Sequence, residues 1–407
     1  MSATSSSGLV EKRHNILFVL EYFYPSVGGV ETLFTQLAVA LAAHGHSVCV
    51  VTLCLPNSSS REMYRGVEII RIPAPSWGQR FLFTLWAIPE TLKRARIADI
   101  IHTTTYNAAL PARLAALWSR KPCVITVHEV FAEQWNNLPS LHHLLGFGFR
   151  LLDWAILRLR FNHYVCDSEF TRKRLLRHLN VLPSKATVVY PAVDYDFWNP
   201  VRHRPRPLRE ELGLDPKAFL YLYFGRPGLS KGVEYLIEAA EIVRKELPSS
   251  RLVLLLSRVP DEGYRRTLAQ IKNRGLSDHV VILESVPREQ LPGYLLAANS
   301  IIIPSISEGF GYAAVEATTI GCRVVATSGH AVEEILSDFV DLVPPRDSVA
   351  LARAVINQSL SVPQVKHAPA LFDTTSHVAR VIDLYERLLS VKRCAMNFHL
   401  RIWSRPE

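Results

Sequence analysis

The chain alternates short, continuous apolar runs with longer segments whose apolar residues recur every three or four positions. The runs of the first half are ILFVL (16–20), VCVVTL (48–53), VEIIRI (67–72), DIIHT (99–103), CVITVH (123–128) and HYVCDS (163–168). Those of the second half are FLYLYFG (219–225), RLVLLLS (251–257), HVVILES (279–285), SIIIPS (300–305) and CRVVAT (322–327). Because they are apolar at successive positions rather than alternate ones, they predict strands buried on both faces of a parallel sheet. The segments between them predict the covering helices. One begins near Val30, sets Leu33, Leu37, Ala40 and Leu41 on one face, and ends at Gly45. Others cover 233–247 and the stretch from about Tyr312 to Ile320.

This rhythm predicts an α/β protein of two doubly wound, Rossmann-like parallel-sheet domains facing a cleft. VRHRPRPLRE (201–210), rich in proline and arginine and aperiodic, reads as a linker or boundary loop. The expected units are 1–192 and 193–374, with a closing helix over about 375–407 packing back on the first. In such sheets ligands lie outside the carboxyl ends of the strands. The chemistry is therefore expected in four loops, 21–31, 128–137, 225–232 and 305–312.

Composition narrows the partners only partly. The 407 residues are 48% hydrophobic and 20% charged, as in a globular protein, with a net charge of +9 that favours an anionic partner. A nucleotide, a lipid phosphate, an acidic membrane surface and nucleic acid all meet that description. No nucleic-acid motif accompanies the basic residues, which argues against the last. The six cysteines form no C-x-x-C pair and read as reduced thiols. The N-terminal MSATSSSGLVEKRHN lacks a secretory apolar stretch, and no run nears the roughly 18 residues that span a bilayer. The expectation is a cytoplasmic protein, with peripheral contact at the inner face of a membrane as an option.

The strongest motif is PSISEGFGYAAVEA (304–317), with Glu308 just after a strand and Glu316 eight residues on, inside the next helix. Gly309 and Gly311 let a ligand approach the backbone, and the helix opening at Tyr312 presents unpaired N–H groups suited to phosphate. The carboxylates suit sugar hydroxyls and a ribose diol. Read more plainly, Glu308 caps a helix and Glu316 faces solvent. FGRPGLSKG (224–232) places Arg226 and Lys231 at another strand end, where two cations can neutralise a departing diphosphate. PSVGGVE (25–31) lacks the G-x-G-x-x-G spacing, so Gly28 and Gly29 either make a tight turn or lie against donor phosphates. TVHE (126–129) adds His128 and Glu129. Neither a Ser/His/Asp set nor a metal motif of the H-E-x-x-H kind is present.

Together the four loops resemble the family-four group of retaining glycosyltransferases of the GT-B fold. The resemblance extends from PSVGGVE to the closing helix near Val378–Leu389, and SEGFGYAAVE is its most specific element. It implies that Glu308 binds the donor sugar's hydroxyls and Glu316 the ribose, while Arg226 and Lys231 hold the diphosphate. Gly28 and Gly29 would face that diphosphate from the first domain, and His128 would sit beside the transferred sugar. Gly309, Phe310, Gly311 and Tyr312 would complete the pocket. By the same resemblance no metal or other cofactor is needed, and the sugar keeps its anomeric configuration. The donor would be a nucleoside-diphosphate sugar and the acceptor a glycan or lipid-linked sugar bound by the first domain. Pro191 and Ala192 stand where the family usually carries Asn-Gly, and Ser285 where a glycine is common.

Two stretches of the first half suit a membrane surface as well as a sheet. WGQRFLFTLWAIP (77–89) carries Trp77, Phe81, Phe83 and Trp86, and 149–164 interleaves apolar residues with Arg150, Arg158 and Arg160. RKRLLRH (172–178) adds a basic cluster. Other functions on this architecture are a sugar-nucleotide epimerase or hydrolase, which needs no acceptor, and a silent sugar-nucleotide-binding subunit.

Overall fold

The computed structural model describes residues 12–26, 28–75, 79–131, 135, 143–228, 230–362 and 371–403. Trp77 and, within the expected loop 128–137, residues 132–134 and 136–137 lie outside them. The apolar runs form two sheets. The first contains β1 (Asn15–Val19), β2 (Ser47–Leu53), β3 (Arg61–Tyr64), β4 (Val67–Ile72), β5 (Ile100–Thr104), β6 (Cys123–Val127), β7 (His163–Cys166) and β8 (Ala186–Val188). Their order is β3-β4-β2-β1-β5-β6-β7-β8. All neighbours are parallel except β3, which pairs antiparallel with β4 and has no counterpart among the expected strands. REMY is half-exposed and alternates, so it has no continuous apolar run to betray it.

The second sheet contains β9 (Leu220–Gly225), β10 (Arg251–Leu256), β11 (Val280–Glu284), β12 (Ser300–Ile303), β13 (Val324–Thr327) and β14 (Asp341–Val343), all parallel, in the order β11-β10-β9-β12-β13-β14. In each sheet the strand order reverses at the centre, between β1 and β5 and between β9 and β12. The loops after β1, β9 and β12 therefore open at the switch points, where ligands collect in sheets of this kind.

Helices cover both faces of both sheets. On the first sheet, α1 (Gly29–Ala43) lies on one face, while α2 (Gln79–Ala95), α3 (Ala109–Ser119), α4 (His143–Leu157) and α5 (Glu169–His178) bury residues in the other core. Helix α1 ends as its sequence suggests. Gly45 adopts φ +87, and the Gly45 and His46 amides donate to the Ala42 and Leu41 carbonyls, satisfying groups the helix end leaves open. The second sheet carries α6 (Leu208–Glu211), α7 (Val233–Glu246), α8 (Asp261–Asn273), α9 (Leu291–Ala297), α10 (Tyr312–Thr319), α11 (Ala331–Leu336) and α12 (Ser348–Leu360).

The chain crosses between the two units twice, side by side. Val193 N–H donates to the Phe372 carbonyl at 2.7 Å, and the Tyr190 and Phe372 rings meet 5.3 Å apart. Helix α13 (Thr374–Trp403) then returns to the first sheet and buries Val378, Val381, Leu384 and Tyr385 beside α1. The Tyr385 hydroxyl lies 2.5 Å from His102 Nδ1, whose Nε2 is 2.7 Å from Thr126 Oγ1. Burial pushes His102 down to about 3, so it packs there as a neutral ring.

The aperiodic 201–210 segment is not a free boundary loop. Leu208 is buried in the second core, and Arg209 reaches the Ala218 and Ala297 carbonyls and Asn299. A single apolar anchor among arginines gives no periodic signal, yet Arg209 satisfies carbonyls that would otherwise be stranded. Cys49, Cys54, Cys123, Cys166 and Cys322 are free thiols, and burial pushes those of Cys123 and Cys322 up to about 12.

Candidate functional site

A cavity of about 510 Å³ opens between the carboxyl ends of the two sheets. Gly28, Gly29, His128, Arg226, Lys231, Glu308, Gly309, Phe310, Gly311, Tyr312 and Glu316 all line it, so the site residues anticipated from sequence share one space. Glycine makes this convergence possible. A Cβ on Gly309 would stand 1.6 Å from the His128 carbonyl oxygen in the opposite domain, and one on Gly29 would stand 2.9 Å from the Tyr312 ring. Gly232, at φ +64, faces the Pro304 carbonyl, which a Cβ would approach to 1.9 Å. These contacts hold three of the four loops at backbone distance.

The second-domain wall is internally paired. Lys231 Nζ donates to Glu308 Oε1 at 2.7 Å, and the Ser305 hydroxyl donates to the same oxygen at 2.7 Å. Burial alone would raise the Glu308 carboxyl, but Lys231, Ser305 and His330 outweigh it and hold it below its ordinary value. Burial likewise works against the Lys231 ammonium, yet Glu308 and Glu129 hold it above its ordinary value. The pair is therefore ionised at neutral pH. Behind it, His330 Nε2 lies near Thr327 Oγ1 and the Ser305 carbonyl, while its Nδ1 caps α11 by accepting from Val332 N–H.

Arg226 does not lie with Lys231. Its guanidinium reaches across the cleft to Glu31, 3.6 Å away, a carboxylate in the first turn of α1. A Cβ on Gly28 would meet the tips of both side chains, which would have to shift to admit it. Glu316 lies one helical turn into α10. Burial pushes its carboxyl up to about 7, against the pull of Arg288 and Trp198. Arg288 packs 4.0 Å over the Phe197 ring and forms an ion pair with Asp194 at 3.7 Å. The Gly311 cap supplies no side chain to the first turn of α10, which leaves a positive helix end at the cavity.

On the first-domain wall, His128 Nδ1 donates to Asp167 Oδ2 at 2.7 Å. In the neutral ring this leaves Nε2 as an acceptor. Glu129 stands next to it, and burial pushes its carboxyl up to about 7; Ser307, Lys231 and Arg174 act to lower it and Glu308 adds to the rise. Glu31, Asp167 and Arg288 are not among the site residues expected from sequence, which points to Glu129 only as the neighbour of His128 and gives it no role. Asp167 and Glu129 each come soon after a β-strand, the same position that pointed to His128 and Glu308. Among the described residues, no group of three or more His, Cys, Asp or Glu side chains has an arrangement that could hold a metal ion.

The domains are also held together away from the cavity. Glu334 of α11 accepts from the Glu169 and Phe170 amides at the start of α5, at 2.9 and 2.7 Å, and from the Tyr190 hydroxyl at 2.8 Å.

The membrane-suited stretches lie on helices with split character. In α2, Phe83 is fully buried while Phe81 is 62% exposed, so the aromatics do not share a face. Leu85 and Trp86 are exposed beside Phe81, as are Phe147, Leu151 and Trp154 on α4, where Arg158 stacks 4.3 Å from the Trp154 ring. Two arginines of the 172–178 cluster serve the fold, with Arg172 bonding the Ala186 carbonyl and Arg174 those of Val130 and Phe131. Among the described residues, no helix is long and apolar enough to cross a membrane.

Residues 27–197 match the family described as Glycosyltransferase Family 4, and 206–364 match Glycosyl transferases group 1. The chain is 28% identical over 352 residues to D-inositol 3-phosphate glycosyltransferase of Frankia alni, covering 80% of this chain and 84% of that one. It is 26% identical over 348 residues to the enzyme of the same description from Xylanimonas cellulosilytica, covering 80% and 82%. Sucrose-phosphate synthase from Thermosynechococcus elongatus superposes with a TM-score of 0.77 at 22% identity, over 93% of this chain and all of that one. HepE of Anabaena, in complex with UDP-glucose, superposes at 0.71 with 18% identity, over 92% of this chain and all of that one. These likenesses agree with the two facing sheets of a GT-B fold.

Proposed function

The chain belongs to the family-four, group 1 glycosyltransferases, and from that premise we propose that it transfers a sugar from a nucleoside-diphosphate donor, a UDP- or GDP-sugar, to a hydroxyl acceptor with retention of configuration and without a metal. The observation that supports this reading is the gathering of Arg226, Lys231, Glu308, Glu316 and His128 around one cavity at the switch points of both sheets. Lys231, Arg226 and the α10 N-terminus would neutralise the diphosphate, the work a divalent ion does elsewhere. Glu308 and His128 Nε2 would hold sugar hydroxyls, and Glu316 the ribose diol.

In the step itself the acceptor oxygen bonds to the anomeric carbon as the bond from that carbon to the diphosphate oxygen breaks. Attack comes from the face of the leaving group, and a diphosphate oxygen takes the acceptor's proton. The protein contributes position and charge stabilisation and needs no nucleophile of its own. The acceptor is a glycan or lipid-linked sugar presented to the first domain, where the exposed aromatic residues of α2 and α4 give an anionic membrane surface a place to rest.

The test is transfer from a panel of sugar nucleotides in excess chelator. Lys231→Ala removes a buried cation and strands Glu308, so transfer should fall about a hundredfold or more while the chain stays folded by circular dichroism. Normal activity in that variant, or strict dependence on a divalent ion, would remove the assignment.

A further inference from the structure

The first-domain wall holds more hydrogen-bonding capacity than the protein uses. Glu129 Oε1, His128 Nε2 and Asp167 Oδ1 are buried and make no hydrogen bond of good geometry among the described residues, and neither does Ser307 Oγ on the opposing loop, although it lies close enough to Glu129 to lower its carboxyl. Buried polar atoms are almost always paired in folded proteins, so their concentration at one cavity points to a polar ligand that pairs them.

Glu129 differs from Glu308 and Glu31, and from Asp167, which is engaged by His128. Glu308 Oε1 already accepts from both Lys231 and Ser305, and Glu31 faces Arg226. Glu129 comes just after β6, lines the cavity, and keeps one oxygen uncommitted beside Ser307. An ionised carboxylate only accepts hydrogen bonds and would repel a diphosphate. Its fitting partner in a sugar nucleotide is thus a hydroxyl of the sugar. It also reaches the sugar loop only while the domains meet, because it is carried by the segment whose His128 carbonyl abuts Gly309.

We propose that Glu129 binds a hydroxyl of the transferred sugar, making it a specificity-determining residue that the first domain adds to the donor site. This rests on the donor-site reading above and assigns it a residue that the family resemblance did not supply. Titration gives the contact a signature. Burial sets the Glu129 carboxyl at about 7, with Ser307, Glu308, Lys231 and Arg174 facing it and His128 adjacent. A hydroxyl that donates to the carboxylate favours its ionised form, so as pH rises through 7 the preference for the sugar nucleotide over the bare diphosphate should grow in the wild type relative to Glu129→Gln, in which the terminal phosphate of the diphosphate still titrates.

The experiment is calorimetric binding to the full chain, without acceptor, of UDP-, GDP- and ADP-sugars and their parent diphosphates at pH 6 and pH 8. In Glu129→Gln the ratio of sugar-nucleotide to diphosphate affinity should fall about tenfold or more, the range of a hydrogen bond to a charged group. Affinity for the diphosphate should not fall, since a repelling charge is removed, and the ratio should lose the part of its pH dependence that Glu129 supplies. An unchanged ratio in Glu129→Gln and Glu129→Ala, or an equal loss for the diphosphate alone, overturns the proposal. So does a pH dependence of the ratio that is the same in wild type and variant, since it would not come from Glu129. If the wild-type chain binds no sugar nucleotide better than its diphosphate, the donor-site reading falls and carries this proposal with it.

Discussion

The two walls of the cleft are built from the same strand-to-loop device but are left in opposite electrostatic states. On the second-domain side, Lys231, Glu308 and Ser305 close on one another at 2.7 Å, and charge offsets desolvation. On the first-domain side, Glu129, His128 and Asp167 present buried atoms that nothing among the described residues satisfies. One wall is a preformed charge pair that a diphosphate would have to reorganise. The other is arranged for hydroxyl groups. On the proposed reading, sugar and diphosphate are recognised from different domains, so a productive site exists only when the domains meet.

The largest effect should come from holding the walls apart. Gly309→Ala places a methyl group 1.6 Å from the His128 carbonyl oxygen, which side-chain motion cannot relieve. Transfer should fall about a hundredfold, as misplacement of a reacting group by an ångström can. Each half keeps its own core, so the melting transition should move little while the radius of gyration measured by X-ray scattering increases. Full activity in Gly309→Ala would mean that the walls need not touch.

A smaller effect separates the walls by their protons. Glu129 and Glu316 sit at about 7, above the ordinary carboxylate value of 4.5, so between those values the folded chain binds more protons than the unfolded one. The stability these two carboxyls contribute should therefore fall as pH rises from 4.5 to 7, while buried histidines such as His102, held below their ordinary value, contribute with the opposite sign. Glu308 has the opposite sign: held below its ordinary value, it stabilises above that value and loses the contribution in acid. In thermal melts from pH 5 to 8 the wild type should lose stability with rising pH relative to the Glu129→Gln/Glu316→Gln double variant. An equal slope in both would place those carboxyls in water.

The smallest effect on transfer is expected far from either wall. Trp86→Ser with Trp154→Ser should abolish flotation with anionic vesicles at low salt, yet leave the rate with a soluble acceptor within about twofold. Flotation that survives would move the membrane surface elsewhere.

Local pattern in the sequence was enough to specify much of this protein. Continuous apolar runs marked the buried strands because both faces of a parallel strand are covered, and Gly45 marked the end of α1 because its φ of +87 favours glycine. Glu308, Glu316, Arg226, Lys231 and His128 were legible because each follows a strand or lies in the helix that a switch-point loop opens. The short edge strands β3, β8 and β14 left no such trace. Neither did the 201–210 segment, whose place on the second core depends on Arg209 finding the carbonyls of Ala218 and Ala297. Which charges meet is settled only in three dimensions. Arg226 and Lys231 share one short loop, yet one faces Glu31 and the other Glu308. Pairing and desolvation are properties of the assembled cavity, and they separate a satisfied Glu308 from an unsatisfied Glu129 although both come soon after strands.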